Sequence, residues 1–317
     1  MRRNFHSLFF AAFIVGCGGG GSNPDAQLAD VSVQEAAASL PYCTAKPALA
    51  SVTDLSGTWV MRLAGSQIVN APIVGAMRTQ SVFHILMTIS QNGTALSAAG
   101  RYCDRAEIDP PGALVPVVIP DAWAHTEKPV SRTGSFAPGA GGIPVLNLPS
   151  LGEPPLVEIA GAVLASTTDS LPTSAADPRV IDEDNDGYPG ISVRLNGQSI
   201  SGSVYSVQKQ TTSIQAIVVD VGRLEGILTF GSEQNVIGSN PETIATLYSQ
   251  SQTNPDYVTC NSSFAMVKVG DAPSHSTVDG GEMDGGTIGG DVDSGSVDAG
   301  GISCEWVRAN ETVLFPR

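Results

Sequence analysis

Three aspartates at alternate positions are the part of this chain best suited to chemistry. Residues 180–195 read VIDEDNDGYPGISVRL, with Asp182, Asp184 and Asp186 followed directly by Gly187. Carboxylates spaced by two in a tight turn converge on one point, and hard oxygen ligands suit calcium. Glycine after the third aspartate permits the sharp turn that brings the next ligand, a backbone carbonyl, into place. Here that carbonyl belongs to Tyr188, and water can ligate at Gly190. The twelfth position of such a loop normally holds a bidentate glutamate. It is Val193 here, so Glu183 or an acid from elsewhere must complete the shell. A set lacking that carboxylate predicts weak binding, at ~10⁻⁴–10⁻³ M. The expected role is structural: a cation cancels the repulsion of neighbouring acids and orders the turn. The competing reading is an acidic surface turn closed by aspartate side chains on its own backbone.

Cysteine is the next residue type with chemistry to offer. There are five: Cys17, Cys43, Cys103, Cys260 and Cys304. Setting Cys17 aside, four remain, an even number that reads as two disulfides in an oxidising compartment. Three pairings are open. Shorter loops favour Cys43–Cys103 with Cys260–Cys304. No CxxC pair occurs, which disfavours a redox or zinc-ribbon role. The histidines form no pattern: His6 is near the N-terminus, His84 in a strand, His125 in a proline-rich region and His275 in an acidic one. GxSxG, HExxH, Walker and dinucleotide-binding signatures do not occur. No catalytic residue is assigned.

The N-terminus begins MRRNFHSLFFAAFIVGCGGGGSNPD. Arg2 and Arg3 form a positive region and Leu8 to Val15 an apolar one, the pattern of an export signal. The apolar run is too short for a stable membrane span, which takes ~20 residues. Ile14-Val15-Gly16-Cys17 resembles the bacterial lipobox. That resemblance implies cleavage after residue 16 and acylation of Cys17, so the membrane is a partner through the lipid. Several acyl chains give stable attachment where one gives only marginal binding. Arg2-Arg3-Asn4-Phe5 is also similar to a twin-arginine export pattern, although the strongly apolar run suits general secretion better. Gly18, in place of the aspartate that retains such lipoproteins at the inner membrane, points to the outer membrane.

The elements that must position these groups are mainly strands. Trp59, Met61 and Leu63 share one face of a strand, as do Phe83, Ile85, Met87 and Ile89 of another. Asn92-Gly93 makes a hairpin turn, and Leu96 to Tyr102 is the returning strand. Ile191 to Leu195, Ser199 to Val207, Ile214 to Val221, Leu224 to Phe230, Phe264 to Val269 and Thr312 to Phe315 read as further strands. One helix is predicted, with Asn240 as N-cap, Pro241 in its first position, and Ile244, Leu247 and Tyr248 on one face. Residues 104–155 carry many prolines and no clear period, and read as long ordered loops. Residues 270–301 are glycine, aspartate and serine with few large apolar side chains, and read as a disordered acidic loop. The organisation is thus a signal (1–16), a flexible tether (17–40) and a β domain (41–317). A flexible tether of ~23 residues has an r.m.s. reach of ~25 Å. The expected fold is mainly β: a single antiparallel barrel or a sandwich, with one short helix and long loops.

Composition bounds the partners. Lys and Arg number 16 against 31 Asp and Glu, a formal net charge of −15. Loss of Arg2 and Arg3 with the signal makes it more negative. Such a surface repels phosphate backbones, which excludes nucleic acid, and favours divalent cations. The aspartate loop resembles the first half of an EF-hand, but Pro189 and the following strand do not fit helix–loop–helix flanks. It is closer to the single loops of dockerins and thrombospondin type 3 repeats, where other acids complete the shell. Gly57-Thr58-Trp59 resembles the lipocalin signature, which implies an apolar ligand between the Trp59–Leu63 and Phe83–Ile89 faces. Taken together, the lipobox, the GTW strand, the DxDxDGxPG loop and the LFP ending resemble uncharacterised myxobacterial-type lipoproteins. The function expected is a non-catalytic, lipid-anchored envelope protein with a calcium loop and an apolar ligand or envelope partner. The alternative is a secreted-type hydrolase using carboxylates on a β scaffold.

Overall fold

The computed structural model describes residues 41–271 and 302–316, apart from 53, 72–74, 199, 250–251 and 257. The signal, Cys17, the tether and nearly all of the acidic stretch 270–301, with His275, lie outside the described residues. The described chain is mainly β and antiparallel. Strands β1 (Gly57–Ala71), β2 (Gly75–Asn92) and β3 (Ala95–Ile108) form a meander. Gly93, at φ 60°, makes the turn between the last two, as the Asn-Gly pair predicts. Then come β4 (Val117–Val118), a short helix α1 (Asp121–Ala124), β5 (Pro129–Pro138), β6 (Pro144–Leu148) and β7 (Leu156–Ala160). After an irregular stretch, β8 (Ile191–Asn196), β9 (Ser201–Asp220) and β10 (Arg223–Asn240) follow. Helix α2 (Thr243–Ser249), β11 (Gln252–Pro255), β12 (Ser263–Asp271) and helix α3 (Cys304–Leu314) complete the chain.

Eight of these strands pair in a closed antiparallel ring, β1-β2-β3-β5-β6-β9-β10-β12 and back to β1, a barrel-like arrangement. Closure leaves those strands without free edges. The short strands extend the sheet beyond the ring: β8 pairs with the first residues of β9 and β7 with its middle, β4 pairs with β8, and β11 with the last part of β1. One end of the ring is plugged by the segment before β1. Leu49 and Val52 pack on the core, Leu55 is fully buried, and the Leu49 N–H donates to the Val218 carbonyl.

Period-two alternation sets the interior. Trp59, Met61, Leu63, Phe83, Ile85, Met87 and Ile89 all point inward, where they meet Leu146, Ile214, Leu224, Phe264 and Met266 in one cluster. The Trp59 indole N–H donates to the Leu55 carbonyl at 2.6 Å. Where the lipocalin resemblance implies a ligand space between the Trp59 and Phe83 faces, most of these side chains are buried together in one cluster. Those faces pack on each other, as side chains do in small barrels.

Four expectations are corrected. Residues 104–155 are not only loops, since β5 and β6 are members of the ring. Their prolines lie at or near strand ends, at Pro129, Pro138 and Pro144, where a missing N–H is tolerated. Ser199 to Val207 and Ile214 to Val221 are parts of one long β9, because the polar stretch between them carries on the ladder with β10. Helix α2 starts at Thr243 rather than Pro241. Ser239 caps it instead of Asn240, its hydroxyl accepting from the Ala245 N–H. Ile244 is buried as expected, whereas the side chains of Leu247 and Tyr248 lie outside the described residues.

The last of the four is Thr312 to Phe315, expected as a strand. It mostly belongs to helix α3, which Ser303 caps by accepting from the Trp306 N–H. Val307 and Leu314, two turns apart, face the outer wall of β1 and β2 at Val60 and Leu86.

The four cysteines form two disulfides, but with a different pairing: Cys43–Cys260 and Cys103–Cys304. Cα–Cα separations are 5.3 and 4.7 Å. Loop-closure cost rises only logarithmically with length, so the ring topology, not chain separation, decides which cysteines meet.

Candidate functional site

The aspartate loop hangs between β7 and β8. A bridge between Asp182 and Gly190 closes it, with the Glu183 N–H on the Gly190 carbonyl at 3.0 Å and the Gly190 N–H on the Ile181 carbonyl at 2.8 Å. Gly190 sits at φ 88°, and a Cβ there would meet the Ser206 carbonyl oxygen at 2.3 Å. Only glycine lets the loop lie this close to β9. Inside the loop, Asp182 accepts from the N–H groups of Asp186 (3.2 Å) and Gly187 (2.9 Å), and Asp186 from that of Tyr188 (2.9 Å). These bonds hold Asp182 and Asp186 on one side of the turn. The Tyr188 ring stacks on Tyr205 of β9, with centroids 4.5 Å apart.

Asp184 differs from its neighbours. It is turned inward and only 5% exposed. Its Oδ2 accepts from the Ser192 N–H at 2.9 Å, while Oδ1 is buried without a partner. Burial pushes its carboxyl up to about 6, and the charges of Asp186 and Asp182 push the same way. One oxygen from each of the three aspartates lies within 4.8 Å of the other two. The predicted triad is thus assembled. Glu183 does not join it: its carboxylate takes Lys128 Nζ at 2.9 Å and the Gly161 N–H at 2.7 Å. Val193 lies in β8, facing Val204.

A cavity of about 270 Å³ opens nearby, between β3, β5 and β7. Phe83, Trp123, Val130 and Leu156 contribute its apolar wall. Arg105 lies between two aromatic faces, 4.5 Å from the Tyr102 ring centre and 4.3 Å from that of Trp123. Its Nη1 donates to the carbonyls of Trp123 (3.2 Å) and Thr126 (2.7 Å). Burial lowers the Arg105 pKa, and it raises that of Tyr102, whose hydroxyl donates to Glu158. Glu158 is also paired with Arg132 at 3.4 Å. Lys128 links cavity and loop, donating to the Ile159 carbonyl of β7 and to Glu183 beside Asp182.

Sequence spacing could not reveal this cavity, because its residues come from separate stretches between Phe83 and Gln210. The histidines also gain a place that spacing does not give them: His84 and His125 flank the two oxygens of Asp104. Compared with known proteins, the chain matches no family model, no curated protein and no solved structure.

Proposed function

We propose that this chain is an exported envelope lipoprotein, anchored through Cys17 at the outer membrane, that acts by binding rather than by catalysis. In this reading Asp182, Asp184, Asp186 and the Tyr188 carbonyl hold one structural calcium ion. The carrying observation is the buried, unpartnered Asp184 Oδ1 beside two further carboxylates. An ionised carboxylate in that position is costly without a partner, and a cation at the centre of the triad supplies one. The ordered loop then holds Glu183, Lys128 and β7, and with β7 one wall of the cavity. The cavity suits a small, largely apolar ligand with one polar group. The carboxylates around it, Glu158 and Glu183, are engaged by Arg132 and Lys128, which favours binding over the hydrolase reading.

Calcium titration of the full chain tests this by thermal unfolding and by native mass spectrometry with and without EDTA. One calcium per chain, lost on chelation, is expected. At a concentration a hundredfold above Kd, a ligand specific to the folded state stabilises by about 2.7 kcal/mol. The double variant Asp182→Ala, Asp184→Ala loses that stabilisation. An equal calcium response in wild type and variant would refute the assignment.

A further inference from the structure

We infer that the chain holds a second metal site, for a zinc-class transition metal, on His84, Asp104 and Glu311 beneath the C-terminal helix. His84 is at an outward position of β2, directly opposite Asp104 on β3. A bulge beside this pair leaves Cys103 as the extra residue of β3. Its disulfide to Cys304 fixes the start of α3 over the same patch, and Arg308 of α3 donates to the Cys103 carbonyl. Two turns into α3, Glu311 reaches the imidazole from above, while Phe315 stacks on it with ring centres 5.6 Å apart. Three elements distant in sequence thus deliver one imidazole and two carboxylates to one place.

Neither carboxylate makes a direct hydrogen bond to the ring, and each approaches a different ring nitrogen. His84 Nδ1 is 3.7 Å from Asp104 Oδ2, and His84 Nε2 is 3.8 Å from Glu311 Oε1. Both exceed hydrogen-bond length. Tetrahedral zinc with bonds of about 2.0–2.1 Å holds its ligand atoms about 3.3 Å apart, so a cation on Nε2 beside Glu311 requires the Asp104 carboxylate to swing from the Nδ1 side of the ring toward it. One atom from each residue already lies within 4.8 Å of the other two. Independently of that spacing, His84 is 3% exposed and its Nε2 is buried with no hydrogen-bond partner. A buried polar atom of this kind calls for a partner.

One nitrogen with two carboxylate oxygens is a donor set for zinc or a neighbouring transition metal, and it has too few oxygens for calcium. Three protein ligands leave the fourth tetrahedral position open to water. His125 Nε2 lies 3.7 Å from the other Asp104 oxygen, placed to orient that carboxylate. Arg62 faces His84 from β1. The rival arrangement is the imidazole of His84 lying between two carboxylates with no metal.

Cobalt titration of the full chain, cleared of metal with EDTA, decides between them. The expected result is one Co²⁺ per chain giving visible d–d bands, displaced by Zn²⁺. Glu311→Gln, a change on a partly exposed helix position, should weaken cobalt binding by at least the ~10–100-fold seen when a ligand's outer partner is lost. Its unfolding temperature in EDTA should stay near wild type, which separates ligand loss from misfolding. Asp182→Asn with Asp186→Asn should leave the cobalt bands intact, which separates this site from the aspartate loop. No bands, or bands of equal affinity in Glu311→Gln, would overturn the proposal.

Discussion

Asp184 carries a consequence that acid and base can read. Its carboxyl titrates near 6 in the folded chain, against an ordinary value of 3.8, because burial and two neighbouring carboxylates disfavour its charge. Between those values the folded state binds more protons than the unfolded state, so stability falls as pH rises through the window. The loss is roughly 2–3 kcal/mol when complete. In EDTA, urea unfolding of the wild type should therefore weaken from about pH 4 to 6.5 relative to Asp184→Asn. Saturating calcium should abolish that difference, since the cation favours the ionised form. Glu107 and Asp109 are also raised by burial, so the comparison with Asp184→Asn is what isolates this group. A wild-type curve parallel to the variant's in EDTA would show that Asp184 does not titrate in this range. The spacing of the three aspartates was legible in the sequence. The inward turn of Asp184 was not, because it depends on a Ser192 N–H delivered by the next strand.

Elements were legible where alternation was strong and misread where it was not. The faces of Trp59–Leu63 and Phe83–Ile89 emerged from period two alone, and so did the Asn92-Gly93 hairpin. β5 and β6 escaped because prolines punctuate them and because β6 is only five residues long. The end of α3 was read as a strand because three consecutive apolar residues fit either period. Its helical face, Val307 with Leu314, makes sense only against the outer wall of β1 and β2. That helix is held on the ring by the Cys103–Cys304 bond, the Arg308 hydrogen bond and its apolar face. Replacing both cysteines by serine should cost roughly 2–5 kcal/mol. The loss should be uneven: amide hydrogen exchange should accelerate in α3 and stay slow in β1, β2 and β9. Uniformly faster exchange across the ring would mean that the bond supports the closed sheet itself.

At the scale of the molecule, the two sides of the ring wall argue about the membrane. Inside, the wall is largely apolar and packed, with Arg105 and Arg132 buried beside Tyr102 and Thr212; outside it carries Arg62, Arg101, Arg223 and Glu225 besides the apolar patch that α3 covers. A barrel that spans lipid has the reverse arrangement, an apolar outer band around a polar lumen. Among the described residues, no helix is long and apolar enough to cross a membrane either. The proposed attachment through Cys17 is compatible with this wall. The first described residues, Pro41–Cys43, lie against β9 and β10, tied by Cys43–Cys260 and by Thr44 and Lys46 to Glu225. A load on the tether would be taken up there. The aspartate loop and β7, which pair with or rest on the first part and middle of β9, lie toward the end away from the plug. Cys17→Ala, expressed in a bacterial host, should move the protein from the detergent phase to the aqueous phase of a cloud-point extraction. It should keep both disulfides and its calcium response, because the cysteines and aspartates that form them lie between Cys43 and Cys304 in the folded domain. Retention of Cys17→Ala in the detergent phase would place the membrane contact on the folded domain, against the charge of its outer wall.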